Sequence, residues 1–245
     1  MSQDNTNCEL VGKLKPTLLF IHGAGGNHKV WEYQLKVFKD AIAIELAGHD
    51  VGIGKSTIDE YVEEVRRFCD EKGLRNIVMI GHSMGGAIAQ KFALDHPEHL
   101  RAIVLVCTGA KLRVTPIIFD AIKKNYAQAV EFITELAFSD KAASETKKKA
   151  AEEMMKIRPD VTFGDFEACD TFNIMNRLRE MKIPALIVCG LEDHVTPVKY
   201  SQYLRDNISD SRLEMLADAG HMVMVERPEE FNEKLKKFIK ELDEF

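Results

Sequence analysis

The sequence predicts an α/β protein built on a mostly parallel, doubly wound sheet flanked by helices. Three observations carry this. Short runs at 18–21, 77–80 and 102–107 are almost continuously apolar, as strands covered on both faces are. Helical patterns alternate with these runs, which implies right-handed crossovers in one sheet. The alternation breaks once, between Lys111 and Lys182, where only helical periodicity is present.

Taken in order, strands are expected at 18–21, 41–44, 77–80, 102–107, 185–189 and 212–216. Thr57 suits the N-cap of a helix over 58–72, and Gly73 suits its end. A helix over 84–96 follows directly on a strand and stops before Pro97. In the broken stretch, Ile117, Ile118, Ala121 and Ile122 followed by Val130, Ile133, Leu136 and Ala137 suit an amphipathic helix pair. Residues 141–156 are charged and alanine-rich, 165–181 read as helix again, and the β/α pattern resumes at Ile183. The expected organisation is a core in two parts, 1–110 and 183–245, with a helical cap over 111–182 lying above the sheet.

A chain of 245 residues is long enough for such a core without disulfide staples. Apolar residues make up 45% and charged residues 29%, an ordinary globular balance. Lys and Arg number 33 against 39 Asp and Glu, a net charge of −6 that argues against a general affinity for nucleic acid. The five cysteines, Cys8, Cys69, Cys107, Cys169 and Cys189, are odd in number and show no tight pairing, which suits a reducing compartment. Residues 1–9 are polar, without the apolar segment of a signal peptide, and no apolar run reaches the ~18 residues of a membrane span. A cytoplasmic protein with no integral membrane segment is expected.

The sharpest motif is Gly81-His82-Ser83-Met84-Gly85-Gly86, between a strand and a helix. This is G-x-S-x-G in the context that a nucleophile elbow requires. The turn is too tight for Cβ atoms at its flanks, and the serine projects at a helix N-terminus, where N–H groups favour negative charge. A second motif, His22-Gly23-Ala24-Gly25-Gly26, follows the first strand. Its small residues let the backbone N–H of Ala24 serve as half of an oxyanion hole, with the N–H of Met84 as the other half. His22 is expected to brace that loop by hydrogen bonds. Glu192, Asp193 and His194 sit after the strand at 185–189, at the sheet edge that carries the serine. His221 lies on a glycine turn before the final helix, and a histidine there can reach across to Ser83.

These segments together resemble the α/β-hydrolase superfamily, in particular its carboxylesterase and lipase-like members with a helical cap. The resemblance rests on HGAGG at 22–26, LAGH at 46–49, GHSMGG at 81–86, CGLEDHVTP at 189–197 and AGHMVMVERP at 219–228, in that order. It implies the α/β-hydrolase fold with the cap inserted after the sixth strand, Asp193 as the acid and His221 as the base. Little chain precedes Leu18, so one or two early strands of the family are expected to be absent or short. Where the family carries D-x-P-G-H-G, this chain has Glu45-Leu46-Ala47-Gly48-His49-Asp50.

The expected function is a serine hydrolase that cleaves a carboxylic ester or thioester of a small molecule through Ser83, His221 and Asp193, with no cofactor and no metal. A carbon–carbon bond hydrolase or perhydrolase using the same triad, or a low-turnover ligand receptor on the same fold, is the alternative. Members of the family that act as dehalogenases or epoxide hydrolases place an aspartate at the elbow, which Ser83 argues against.

Other features read more plainly. Gly54-Lys55-Ser56 ends like a phosphate-binding loop, but the glycine required at its start is His49. Lys147, Lys148 and Lys149 are expected on a solvated helix face, paired with Glu152 and Glu153. Met154, Met155, Met175 and Met181 suit either an adaptable pocket wall or the core of the cap. Trp31, Tyr33 and Phe38 suit packing near the 22–26 loop. His28, His82, His96, His99 and His194 have no assigned chemistry.

Overall fold

Six strands form a single sheet: β1 (Thr17–Ile21), β2 (Ile42–Ile44), β3 (Ile77–His82), β4 (Leu100–Val106), β5 (Ala185–Gly190) and β6 (Ser211–Leu216). Their order is β2-β1-β3-β4-β5-β6, and every neighbouring pair is parallel. The computed structural model describes residues 15–243, so the polar stretch 1–9 and Cys8 lie outside the described residues. Every apolar run singled out above falls on one of these strands.

Strand periodicity sorts the core into two layers. Leu19, Ile21, Met79, Ile103, Leu105 and Ile187 face one side, where α2 (Ile58–Glu71) and α3 (Met84–Asp95) cover them. Phe20, Val78, Ile80, Val104, Leu186 and Val188 face the other, against Trp31 and, from α10 (Pro228–Asp243), Phe231, Leu235 and Phe238. Removing each such side chain from water contributes about 1.5–3 kcal/mol. The remaining core helices are α1 (Glu32–Val37), α8 (Val198–Asn207) and the single turn α9 (Val223–Glu226).

Local chemistry sets the α2 boundaries as expected. Thr57 accepts from the Glu60 N–H at 3.2 Å, and its hydroxyl donates to Glu60 Oε2 at 2.8 Å. Gly73 closes the helix with φ +62°.

Between β4 and β5 the chain is helical: α4 (Pro116–Lys124), α5 (Tyr126–Ala137), α6 (Ser144–Met154) and α7 (Pro159–Thr171). Counted among the described strands, this segment follows the fourth. The expected helix over 165–181 is displaced. Pro159 opens α7 six residues earlier, where a missing N–H costs nothing, and the chain turns extended at Phe172. A bridge between Lys111 and Asn173 then ties the two ends of the segment together. The lysine run also differs from expectation. Only Lys148 approaches Glu152 within its own helix, at 4.0 Å. Lys147 pairs with Glu135 at 2.8 Å and Lys149 with Glu32 at 2.5 Å, while Glu153 takes Lys29 and Lys156.

The chain steps from β1 out to β2, then returns past β1 to β3 and onward to β6. The order therefore reverses between β1 and β3, and ligands of open α/β sheets bind in the crevice outside the carboxyl ends at such a point. Ile21 and Gly81 are register partners there, so the 22–26 loop and the elbow leave the sheet side by side. No helix among the described residues is long and apolar enough to cross a membrane.

Candidate active site

β3 ends at His82 and α3 begins at Met84, so Ser83 alone makes the turn, at φ 52° and ψ −114°. A non-glycine residue held there stores roughly 1–3 kcal/mol. The neighbours explain why the flanks are glycines. A Cβ on Gly81 would lie 2.1 Å from the Gly85 carbonyl oxygen, and one on Gly85 would lie 2.4 Å from that of Ile21. The Ser83 backbone is fixed from both sides. Its N–H donates to Val106 O at 2.9 Å, and its carbonyl accepts from the Thr108 hydroxyl at 2.8 Å. Among the described residues the Ser83 hydroxyl has no hydrogen-bond partner, and it faces the cavity described below. Met84 is the first residue of α3, so its N–H has no acceptor within the helix.

Asp193 and His221 come together from the loops after β5 and β6. These loops touch closely, since a Cβ on Gly190 would lie 2.2 Å from the Ala219 carbonyl oxygen. His221 Nδ1 donates to Asp193 Oδ2 at 2.9 Å. The carboxylate also accepts from the Val195 and Thr196 N–H groups, each at 2.8 Å, and from the Thr196 hydroxyl at 2.8 Å. Burial alone would raise the Asp193 pKa. The His221 ring and the Thr196 donors outweigh it and hold the carboxyl below its ordinary range. With Nδ1 committed to Asp193, Nε2 of the neutral ring is left as an acceptor.

Ala137 and His82 hold the His221 backbone, and Glu226 holds the loop beside it. The His221 N–H donates to Ala137 O at 2.8 Å, and His82 Nε2 donates to the His221 carbonyl at 3.0 Å. Glu226 accepts from the Gly220 N–H at 2.8 Å and from the Ser139 N–H at 3.0 Å, tying the histidine loop to the end of α5. Burial pushes the His82 imidazole down to about 3, so the ring is neutral. Sequence reasoning left His82 without chemistry and passed over Thr196 and Glu226. Their partners are distant in sequence or lie in an ordinary turn, so no local signal marked them.

The 22–26 loop lies against the elbow. A Cβ on Gly23 would come within 3.2 Å of Ser83 Cβ. As expected, His22 braces this loop: Nδ1 lies 2.9 Å from Gly23 O, and Nε2 accepts from the Leu46 N–H at 3.3 Å. The Gly26 N–H also donates to Gly23 O, at 3.2 Å. Among the described residues the Ala24 N–H has no hydrogen-bond acceptor.

A cavity of about 360 Å³ opens over these groups, with Ser83, His221 and Ala24 in its wall. Its apolar walls include Ile133, Phe138, Met154 and Phe166 from the helices between β4 and β5. Ion pairs of Lys29 with Glu153 and of Lys149 with Glu32 stand among its lining residues. Of the four methionines considered, Met154 lines this cavity, Met181 is buried in the core, and Met155 and Met175 are exposed. Trp31 is fully buried, and Tyr33 lies in the cavity wall. Gly54 packs against Val161 of α7.

Cys107 Sγ, an Asp193 oxygen and a His221 nitrogen lie within 4.8 Å of one another. Burial raises the Cys107 thiol well above its ordinary range, which keeps it protonated, and four donors already occupy Asp193. The donor set fits a hydrogen-bond network better than a metal centre.

A family model described as alpha/beta hydrolase fold matches residues 16–228. The chain is an α/β-hydrolase. This α/β-hydrolase is 35% identical to the solved structure of a thermophilic esterase, with TM-score 0.83, covering 92% of this chain and 90% of that one. It is 26% identical to 3-oxoadipate enol-lactonase 2 of Acinetobacter baylyi, over 92% of this chain and 89% of that protein. It is 27% identical to the dihydrolipoyllysine-residue acetyltransferase component of the acetoin cleaving system of Cupriavidus necator, over 91% of this chain. The match spans only 63% of that relative's length.

Proposed function

We propose that this α/β-hydrolase cleaves a carboxylic ester or thioester through Ser83, His221 and Asp193. The observation that carries the reading is the 2.9 Å bond from His221 Nδ1 to Asp193 Oδ2, beside a cavity that also holds Ser83 on its strained turn. Asp193 fixes the imidazole with Nε2 free to accept. Nε2 takes the Ser83 proton as Oγ attacks the substrate carbonyl. The N–H groups of Ala24 and Met84 receive the oxyanion. The alcohol or thiol leaves with the proton from His221, and water activated by the same nitrogen then releases the acid and restores Ser83. Every step uses groups of this chain.

Residues 111–182 act as the cap that selects the acyl group, which suits the apolar walls they give the cavity. The likeness to two relatives supports an ester substrate. One is a thermophilic esterase and the other an enol-lactonase, and a lactone is an ester closed in a ring.

The test is hydrolysis of p-nitrophenyl esters from acetate to palmitate by the wild type, Ser83→Ala and His221→Ala. Both variants are expected to fold and to lose about 10⁴-fold or more in kcat. Comparable turnover in Ser83→Ala sinks the nucleophile assignment. A folded wild type that cleaves no ester points instead to carbon–carbon cleavage by the same triad, or to a receptor that binds without turnover.

A further inference from the structure

Asp165 is a fully buried carboxylate on α7, far in sequence from every group in the mechanism above. Its Oδ2 accepts from the Gly25 N–H at 2.8 Å and lies 2.9 Å from His49 Nε2. Its Oδ1 accepts from the Tyr61 hydroxyl at 2.5 Å. His49 Nδ1 faces only carbonyl oxygens, those of Leu46 and Ala47 at 3.2 Å each. Burial works against the charged ring, but Asp165 and the Ala47 and Leu46 carbonyls outweigh it and raise the His49 pKa above its ordinary value, so the ring is built to pair with the carboxylate. Breaking such a pair from one side leaves an uncompensated buried charge.

The geometry reaches the oxyanion loop in one step. Two peptide planes flank Ala24, and each plane is rigid. The first carries Gly23 O and the Ala24 N–H on opposite edges, and His22 Nδ1 with the Gly26 N–H fixes its carbonyl edge. The second carries the Gly25 N–H, and Asp165 fixes it. Gly25 sits at φ +62°, and a Cβ there would lie 2.6 Å from Met154 Cε and 3.2 Å from Thr162 Cγ2 of the inserted helices, so this position has no side chain of its own to anchor it. The hydrogen bond from below comes from the core, and the one from above comes from the inserted segment.

We propose that Asp165 is a positioning residue for the oxyanion loop, clamping the Gly25 N–H from α7 and thereby fixing the direction of the Ala24 N–H. The proposal rests on the ester-hydrolase reading of the site. It makes the inserted helices part of the hole's assembly as well as walls of the pocket. Asp165 touches no reacting atom, so its loss weakens stabilisation of the oxyanion and leaves ground-state binding of the acyl group nearly intact.

The experiment compares wild type, Asp165→Ala, Asp165→Asn and Tyr61→Phe on p-nitrophenyl butyrate, with inhibition by phenylboronic acid beside the kinetics. The boronate adds to Ser83 Oγ as a tetrahedral adduct whose oxygen occupies the hole, while the Ser83 proton passes to His221. Asp165→Ala is expected to lower kcat about tenfold or more, with KM within about threefold and phenylboronic acid affinity reduced in parallel with kcat. Asp165→Asn keeps the shape but offers one acceptor oxygen to three donors, and it carries the test if the alanine variant does not fold. Tyr61→Phe keeps the Gly25 bond and is expected to stay within about threefold of the wild type in kcat. A kcat loss below about fivefold in the folded Asp165 variants overturns the proposal, as does an equal loss in Tyr61→Phe. A wild type without ester turnover or boronate inhibition overturns the ester-hydrolase reading of the site, and the two failures are thereby distinct.

Discussion

His82 Nε2 donates to the backbone carbonyl of His221 at 3.0 Å, and the two rings lie 4.8 Å apart. The residue beside the elbow serine thus holds the loop that carries the other histidine. It does so as a neutral, fully buried ring whose pKa is pushed from 6.5 down to about 3. Between those two pH values the unfolded chain binds a proton that the folded chain does not. Stability from this group is complete above the unfolded value and falls by about 1.4 kcal/mol per pH unit as acid is added. The Asp193 carboxyl, held low, adds a loss of the same sign at lower pH. Urea midpoints measured between about pH 7 and 5 should fall steadily in the wild type and more shallowly in His82→Gln, which keeps a donor and never ionises. Parallel slopes in the two proteins would remove His82 from this account.

The Thr196 hydroxyl is one of the four donors to Asp193, and it also lies 3.2 Å from His221 Nδ1. Thr196→Val keeps the shape and removes that bond, while the two backbone N–H groups still hold Oδ1. The expected result is a loss of about tenfold in kcat/KM on a short ester, with the melting temperature nearly unchanged. An unaltered kcat/KM would mean that the backbone donors and His221 alone orient the acid.

Gly85 is set by packing. A Cβ there would meet the carbonyl oxygens of Ile21 at 2.4 Å and His22 at 2.6 Å, both backbone atoms that cannot swing away. Gly85→Ala should cost about 2–3 kcal/mol. In a domain of this size each kcal/mol lowers the melting temperature by roughly 2–4 °C. Calorimetry checks this, and a melting temperature within a degree of the wild type would contradict the close approach of α3 to β1.

Ala150 and Met154, both on α6, line the cavity. Ala150→Phe fills space without touching Ser83, Asp193 or His221, so the preferred acyl chain should shorten while acetate hydrolysis stays within about threefold. Met154→Ala should lengthen the preferred chain. An unchanged chain-length profile in both variants would place the acyl group elsewhere.

The strands were legible because a sheet covered on both faces leaves an almost unbroken apolar run, as at 77–80 and 102–107. The turn at Ser83 was legible because its sterics demand glycines at fixed offsets. The boundaries of α7 were not. That helix buries Val161, Thr162, Gly164, Asp165, Ala168 and Cys169, a mixture without an apolar stripe, so its periodicity carries no signal. Asp165, His49, His82 and Glu226 were missed for a different reason. Each acts through partners brought near only by the fold, such as Asp165 on Gly25 and His82 on His221, and nothing in a local window marks them.

Ile21 and Gly81 sit opposite each other in the β1–β3 ladder, and the two loops that frame the cavity floor begin at their ends. That alignment belongs to the sheet, whatever lies between β4 and β5. A graft that exchanged the segment between β4 and β5 for an unrelated helical hairpin would inherit the elbow and the loop after β1 in register, ready to accept a new specificity. It would not inherit the carboxylate that reaches Gly25 from above. The chemistry of this scaffold is therefore portable across one seam only when the replacement brings its own buried acceptor. In a library of grafted segments, survivors should be enriched for an aspartate or glutamate facing that one amide.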